Sequence, residues 1–295
     1  MSQPIDLKIK ALKSSIFKIT ENCRNSESAN KQLAFEAFVH LALQCHLTIF
    51  VARFKHYASS NDEVRSAIQI GPEFSKFDNA EKILKTLNLE ALEEAVEIYS
   101  QIVKEAPAFT DALSMLMEEI FLTRRRGEKL GQFMTPKRLA EGAAKFVNME
   151  KNFVAPYYFH DPAVGNGALL LAQLSYEFKI DRNRTQLMRI WVNDIDPFMC
   201  NITTLQVLTN LNQHNVDVYE YCITCSHAIT QYNHEKPLVL NIVTPHSVFE
   251  AVAIARIDKR KESGYSGKLR DKEKIEINRL IPRPEKTVCE MVKAK

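Results

Sequence analysis

The chain has 295 residues, 45% of them hydrophobic and 25% charged, which is ordinary globular composition with length for one large domain or two modest ones. A formal net charge of +3 is too small to indicate nucleic-acid binding by itself, so only local clustering of basic residues bears on that class. Six cysteines at irregular positions exclude a disulfide framework and fit a reducing compartment.

Met1 to Lys10 lack the charged, apolar, then small pattern of a secretory signal, so the sequence reads as cytoplasmic. From Ile5 to about Arg126 it reads as helices only, with residues such as Phe35, Phe38, Val39, Ala42, His46 and Ile49 at three- and four-residue spacings. The run from Leu33 to Phe54 is interrupted by Glu36, His40, Gln44, His46 and Arg53. A bilayer span needs roughly 20 apolar residues, so this is a buried amphipathic helix and no membrane partner is expected. Ser59 to Asp62 form a turn with an N-cap, and Gly71-Pro72 breaks the chain. Thr110 is read as the cap of a helix carrying Leu113, Leu116, Met117 and Ile120, which ends in Arg124, Arg125, Arg126 and Gly127.

From Tyr157 the pattern changes to short apolar runs, namely Tyr157 to Phe159, Ile190 to Val192, Val216 to Tyr221 and Leu238 to Val243, separated by helical stretches. That alternation predicts parallel βαβ units. The expected organisation is a helical N-terminal domain over 1–128, an α/β domain over 129–250 and a basic, partly flexible tail over 251–295.

The chemistry concentrates in three segments. Asp161-Pro162-Ala-Val-Gly165-Asn-Gly167 follows an apolar run and precedes a helical one, Ala168 to Phe178, so its glycines lie on a strand-to-helix turn. Such turns, at the carboxyl ends of strands, let backbone approach a ligand closely. Some thirty residues on, Asn193-Asp194-Ile195-Asp196-Pro197 ends the next run, close to the spacing of a ribose-binding acid. Asp194 is the candidate, because Asp196 opens the following helix beside Pro197. A dinucleotide fold would place its third glycine at Leu170, which disfavours a nicotinamide cofactor. Before the first strand stands Gly131-Gln-Phe-Met-Thr135-Pro136, with Thr135 read as the N-cap of a helix opening at Pro136. Cys222 and Cys225 form a CxxC near His227, but no second pair follows, so no metal site is expected.

The three segments together resemble the adenine-specific DNA methylases, especially the modification subunits of restriction systems, over about Asp111 to Asn215. The resemblance implies a Rossmann-like class I methyltransferase sheet preceded by helices, truncated at its C-terminal side, with S-adenosylmethionine as cofactor. It places Thr135 and Pro136 against the methionine part, Asp161, Pro162, Gly165 and Gly167 in the binding loop, and Asp194 on the ribose. It also implies DNA as a partner, with a protein partner from a restriction-modification or mobile-element system.

Members carry an Asn-Pro-Pro-aromatic tetrapeptide at the end of the fourth strand, whose Asn and a backbone carbonyl accept the adenine amino hydrogens while the aromatic ring stacks on the flipped base. Here Leu240-Asn241-Ile242-Val243-Thr244-Pro245 stands there, leaving Asn241 as the candidate catalytic residue without the prolines and the ring. Cys225-Ser226-His227 occupies the place of an acidic residue that contacts the cofactor's adenine. Arg124, Arg125, Arg126, Lys137 and Arg138 are candidates for phosphate contacts, with a solvated helix end as the alternative. Two functional readings remain, a binding or regulatory module that has lost catalysis and an active adenine methyltransferase. A structural protein with a closed pocket is a third.

Overall fold

A computed structural model describes residues 5–77, 83–121, 135–149, 157–231 and 237–252. Arg124, Arg125, Arg126, Gly131 and the tail beyond 252 lie outside the described residues. The helices are α1 (Ile5–Lys18), α2 (Glu27–Tyr57), α3 (Asn61–Ala67), α4 (Leu89–Glu105), α5 (Ala112–Phe121), α6 (Lys137–Asn148), α7 (Ala168–Ile180) and α8 (Pro197–His214). The strands are β1 (Ile68–Ile70), β2 (Tyr157–Asp161), β3 (Met188–Asp194), β4 (Glu220–Cys225) and β5 (Leu238–Val243).

The sheet runs β1-β5-β4-β3-β2, with β2, β3 and β4 parallel and β5 antiparallel to both β4 and β1. This is a class I methyltransferase-like α/β fold preceded by helices, as the sequence predicts. Two features depart from expectation. Ile68-Gln69-Ile70 is a strand inside the region read as all-helical, pairing Gln69 with Asn241. Three residues are too few to show a period. Gly71 continues this edge, its N–H donating to Val239 O, and an added Cβ would fall 1.7 Å from Leu238 O. The second departure is the direction of β5. A parallel neighbour needs a crossover, usually helical, and only turns occur among the described residues between Cys225 and Leu238.

Both ends of α2 are secured: the Ser26 side chain accepts from Ala29 N, and Ala58 N–H donates to Phe54 O. The helix has the length and apolarity to cross a membrane, yet Phe35, Phe38, Leu43, Phe50 and Phe54 are fully buried among α4 and α8. Every residue of α8 from Met199 to Leu211 is buried. A helix buried all round must find partners for its polar side chains. Those of α8 serve the backbone of preceding segments: Asn201 Oδ1 accepts from Ser75 N at 2.9 Å, Gln206 Oε1 from Leu113 N at 3.2 Å and Asn210 Oδ1 from Phe109 N at 2.6 Å. Asn212 Nδ2 donates to His46 O at 2.8 Å. Beside it, Arg53 on α2 forms a bidentate pair with the fully buried Asp217, at 2.5 and 3.2 Å.

Candidate functional site: the glycine loop and the acid beside it

The carboxyl ends of β2, β3 and β4 share one edge of the sheet, since Asp161 pairs with Val192 and Asp194 with Cys225. The loop from Pro162 to Gly167 leaves β2 there and enters α7. Gly165 and Gly167 have φ of 57° and 91°, the left-handed region that L side chains rarely adopt. A Cβ on Gly165 would meet nothing within 4 Å, so the backbone there faces open space. One on Gly167 would approach Thr203 Cγ2 to 3.1 Å. The two glycines thus have different tasks, exposure of the loop at Gly165 and close packing on α8 at Gly167.

Asp194 reaches across to this loop. Its Oδ2 accepts from Gly165 N at 2.8 Å and its Oδ1 from Asp196 N at 2.9 Å. Each carboxylate oxygen keeps further acceptor capacity. Asp196 caps α8 through Phe198 N, followed by Pro197, as the sequence predicts. Asp161 folds back on its own turn, accepting from Ala163 N at 3.1 Å, and burial raises its carboxyl above the ordinary range.

Residues with no signal in the sequence hold the loop. Asn193 Nδ2 donates to Pro162 O and Ser226 O, while its Oδ1 accepts from Thr224 and Ser226 hydroxyls. Thr203 Oγ1 donates to Gly165 O at 2.7 Å, and Gln206 Nε2 donates to Asn166 O and to Asp111 Oδ1 at 2.9 Å. Asn166 in turn donates to Ser114, on the first turn of α5. Asp111, not Thr110, caps that helix, accepting from Ser114 N at 3.1 Å, while the Thr110 hydroxyl bonds Pro107 O. The partners bonded directly to the loop stand 31 to 52 residues away, beyond any local pattern.

Thr135 and Pro136 precede α6, which packs on α7, the helix that follows the loop. Pro136 occupies the cap position with no side-chain cap hydrogen bond, so Thr135 does not cap the helix as its sequence position implies. The Lys137 charge favours the Asp111 carboxylate, against the burial that raises its pKa. Lys137 and Arg138 are exposed.

Asn241 is not brought to this edge. It sits within β5, beside Cys222 of β4 and Gln69 of β1, 2% exposed, its Oδ1 without a hydrogen-bond partner among the described residues. Because β5 is antiparallel, its carboxyl end at Val243 lies beside Glu220, at the amino ends of the parallel strands. Two strands separate it from β2. The expected strand end flanking the glycine loop is therefore not the place this Asn occupies. His227 Nδ1 accepts from Ile229 and Thr230 amides, and among the described residues no three His, Cys, Asp or Glu side chains gather as metal ligands.

The sequence matches the family described as N-6 DNA Methylase over residues 104–263, more than half of the chain. The chain belongs to the N-6 DNA methylase family. No curated protein matches it. Similar solved structures include a protein assigned as a modification subunit of a type I restriction enzyme from Vibrio vulnificus, at 12% identity and TM-score 0.38, covering 72% of this chain and 55% of that one. Another is a type I restriction-modification system methyltransferase subunit from Streptococcus thermophilus, at 12% identity and TM-score 0.34, covering 77% and 59%. A third, from Listeria monocytogenes, is described as a class I S-adenosylmethionine-dependent methyltransferase, at 10% identity and TM-score 0.36, covering 72% and 51%. This N-6 DNA methylase family member spans between half and three fifths of their length.

Proposed function

We propose that the chain binds S-adenosylmethionine at the β2–β3 edge and acts as a binding or regulatory module of a DNA-modification assembly, without catalysing methyl transfer through Asn241. The reading rests on one observation, the convergence of the Gly165 loop and the Asp194 carboxylate at the carboxyl ends of adjacent parallel strands. The residues fit the cofactor: the backbone at Gly165 is open on its outer side, and Asp194 retains acceptor capacity for ribose hydroxyls. Asp161, Pro162 and Gly167 shape the loop, and Thr135 and Pro136 are assigned to the methionine part. When bound, the cofactor supplies an electrophilic methyl group on a sulfonium.

The position of Asn241 supports the loss of catalysis, since a group that orients an adenine amino nitrogen must stand within hydrogen-bond reach of that nitrogen, beside the cofactor site. Family membership supports DNA as a partner, with Lys137 and Arg138 as phosphate contacts, and a protein partner of the restriction-modification or mobile-element kind belongs to the same proposal. Calorimetric titration with S-adenosylmethionine, paired with a label-transfer assay on mixed DNA, tests the whole reading. Saturable binding without transfer is expected. Transfer that Asn241→Ala abolishes would sink the impaired reading in favour of an active adenine methyltransferase, and a blank titration unchanged by Asp194→Ala would sink cofactor binding.

A further inference from the structure

Cys200, in the first turns of α8, and Cys225, the last residue of β4, are 25 positions apart in sequence but meet on either side of the Asp194–Ile195 peptide. Cys200 Sγ lies 3.5 Å from Thr224 O and 3.9 Å from Asp194 O. Cys225 Sγ lies 3.6 Å from Ile195 O, and its Cα is the register partner of Asp194. Interaction with Cys200 lowers the Cys225 pKa, against burial and the nearby Glu73, Asp194 and Asp196 carboxylates, while interaction with Cys225 and burial raise that of Cys200. Cys200 is buried and Cys225 partly exposed. Cys222, three residues earlier on the same strand, is buried.

We propose that Cys225 and Cys200 are a peroxide-responsive dithiol, with Cys225 the residue attacked first and Cys200 the one that resolves it into a disulfide. Partial exposure and an adjacent second thiol are properties that mark a redox-active cysteine rather than a structural one. In the first step the Cys225 thiolate attacks a peroxide oxygen. The O–O bond breaks, the alkoxide or hydroxide leaves and takes up a proton, and Cys225 becomes a sulfenic acid. Cys200 then attacks that sulfur, the S–S bond forms, and the hydroxyl departs as water with the Cys200 proton. Two electrons pass from the two thiols to the peroxide, and an external dithiol returns them. The bridge ties the start of α8 to the end of β4, on both sides of the segment that carries Asp194. Its effect on cofactor affinity rests on the proposed function; its formation does not.

The full chain, reduced and then exposed to hydrogen peroxide, is alkylated and mapped by mass spectrometry without reduction. A Cys200–Cys225 cross-linked peptide is expected, reversed by dithiothreitol, with Cys225 oxidised at least about tenfold faster than Cys23 or Cys45. In Cys200→Ser, Cys225 advances to sulfinic acid; in Cys225→Ser, Cys200 stays reduced. Circular dichroism of both variants verifies their fold. Sulfinic acid at Cys225 in the unsubstituted chain with Cys200 still free overturns the resolving step, and oxidation of Cys225 no faster than Cys23 overturns the proposal. If cofactor titrations are blank before and after oxidation while the cross-link forms, the proposed function fails and the dithiol stands.

Discussion

Asp194 and Gly165 are 29 residues apart in sequence and joined by a 2.8 Å hydrogen bond from the Gly165 amide to Oδ2. The same carboxylate therefore orders the loop and stands at the carboxyl edge of the parallel strands. Replacing it by its isosteric amide, Asp194→Asn, keeps the shape and removes the charge. A hydrogen bond to a charged group contributes about 1.5–3 kcal/mol, so cofactor affinity is expected to fall about tenfold to a hundredfold. Calorimetry reads this directly, and an unchanged affinity would detach Asp194 from the ribose.

The loop has a second anchor at Gly167, whose φ of 91° and proximity to Thr203 leave no comfortable place for a side chain. Gly167→Ala is expected to cost about 1–3 kcal/mol from the backbone conformation alone. Thermal unfolding should register a fall of several degrees. Gly165→Ala has a similar backbone penalty without the steric contact and should cost less.

Arg53 and Asp217 join α2 to the segment after α8, and the carboxylate is fully buried. Asp217→Ala strands a guanidinium that otherwise holds two strong bonds, and removing one partner of a buried pair costs about 3–5 kcal/mol. Denaturant unfolding should show that loss. The double variant Arg53→Met with Asp217→Leu should recover a substantial part of it, because no charge is then left buried.

Stability should also depend on the protonation of His46. Burial pushes its pKa down from 6.5 to about 4, so below pH 6.5 the unfolded chain binds this proton more readily than the folded one. The stabilising contribution is fully present above pH 6.5 and disappears as the pH falls toward 4. Burial also lowers the pKa values of His40 and His214, which act in the same direction, whereas the raised carboxyls of Asp111, Asp161 and Glu177 oppose it. Comparing the chain with His46→Gln isolates the one imidazole. Between pH 6.5 and 4 the unsubstituted protein should lose up to about 3 kcal/mol relative to the variant. Parallel curves would contradict a neutral buried His46.

Much of this fold is legible in the sequence where a signal is local. The cap at Asp196 with Pro197 after it, the glycine turn before Ala168 and the strand from Leu238 to Val243 all appear where the residues place them. The direction of β5 and its pairing with Ile68–Ile70 do not, because strand order and direction are set by contacts among distant segments. The same division applies to the site. Gly165, Gly167 and Asp194 announce themselves by residue type and spacing, while Thr203, Gln206 and Asn193 are ordinary polar residues until the chain folds them onto the loop. Asn241 lies within β5 between Cys222 and Gln69, a placement that its distance along the chain does not reveal.

The polar face of α8 has a consequence for how the molecule comes apart. Asn201, Gln206, Asn210 and Asn212 each bond the main chain of residues before position 114, inside a core that is continuous from the first helices to the sheet. Removing residues 1–128 would leave four amide side chains of the helix beside Asp194 facing solvent, together with the apolar surface around them. The helices and the edge that carries Asp194 should therefore melt in a single cooperative transition, and the loop at Gly165 is braced through α8 by segments as distant as His46 and Ser75.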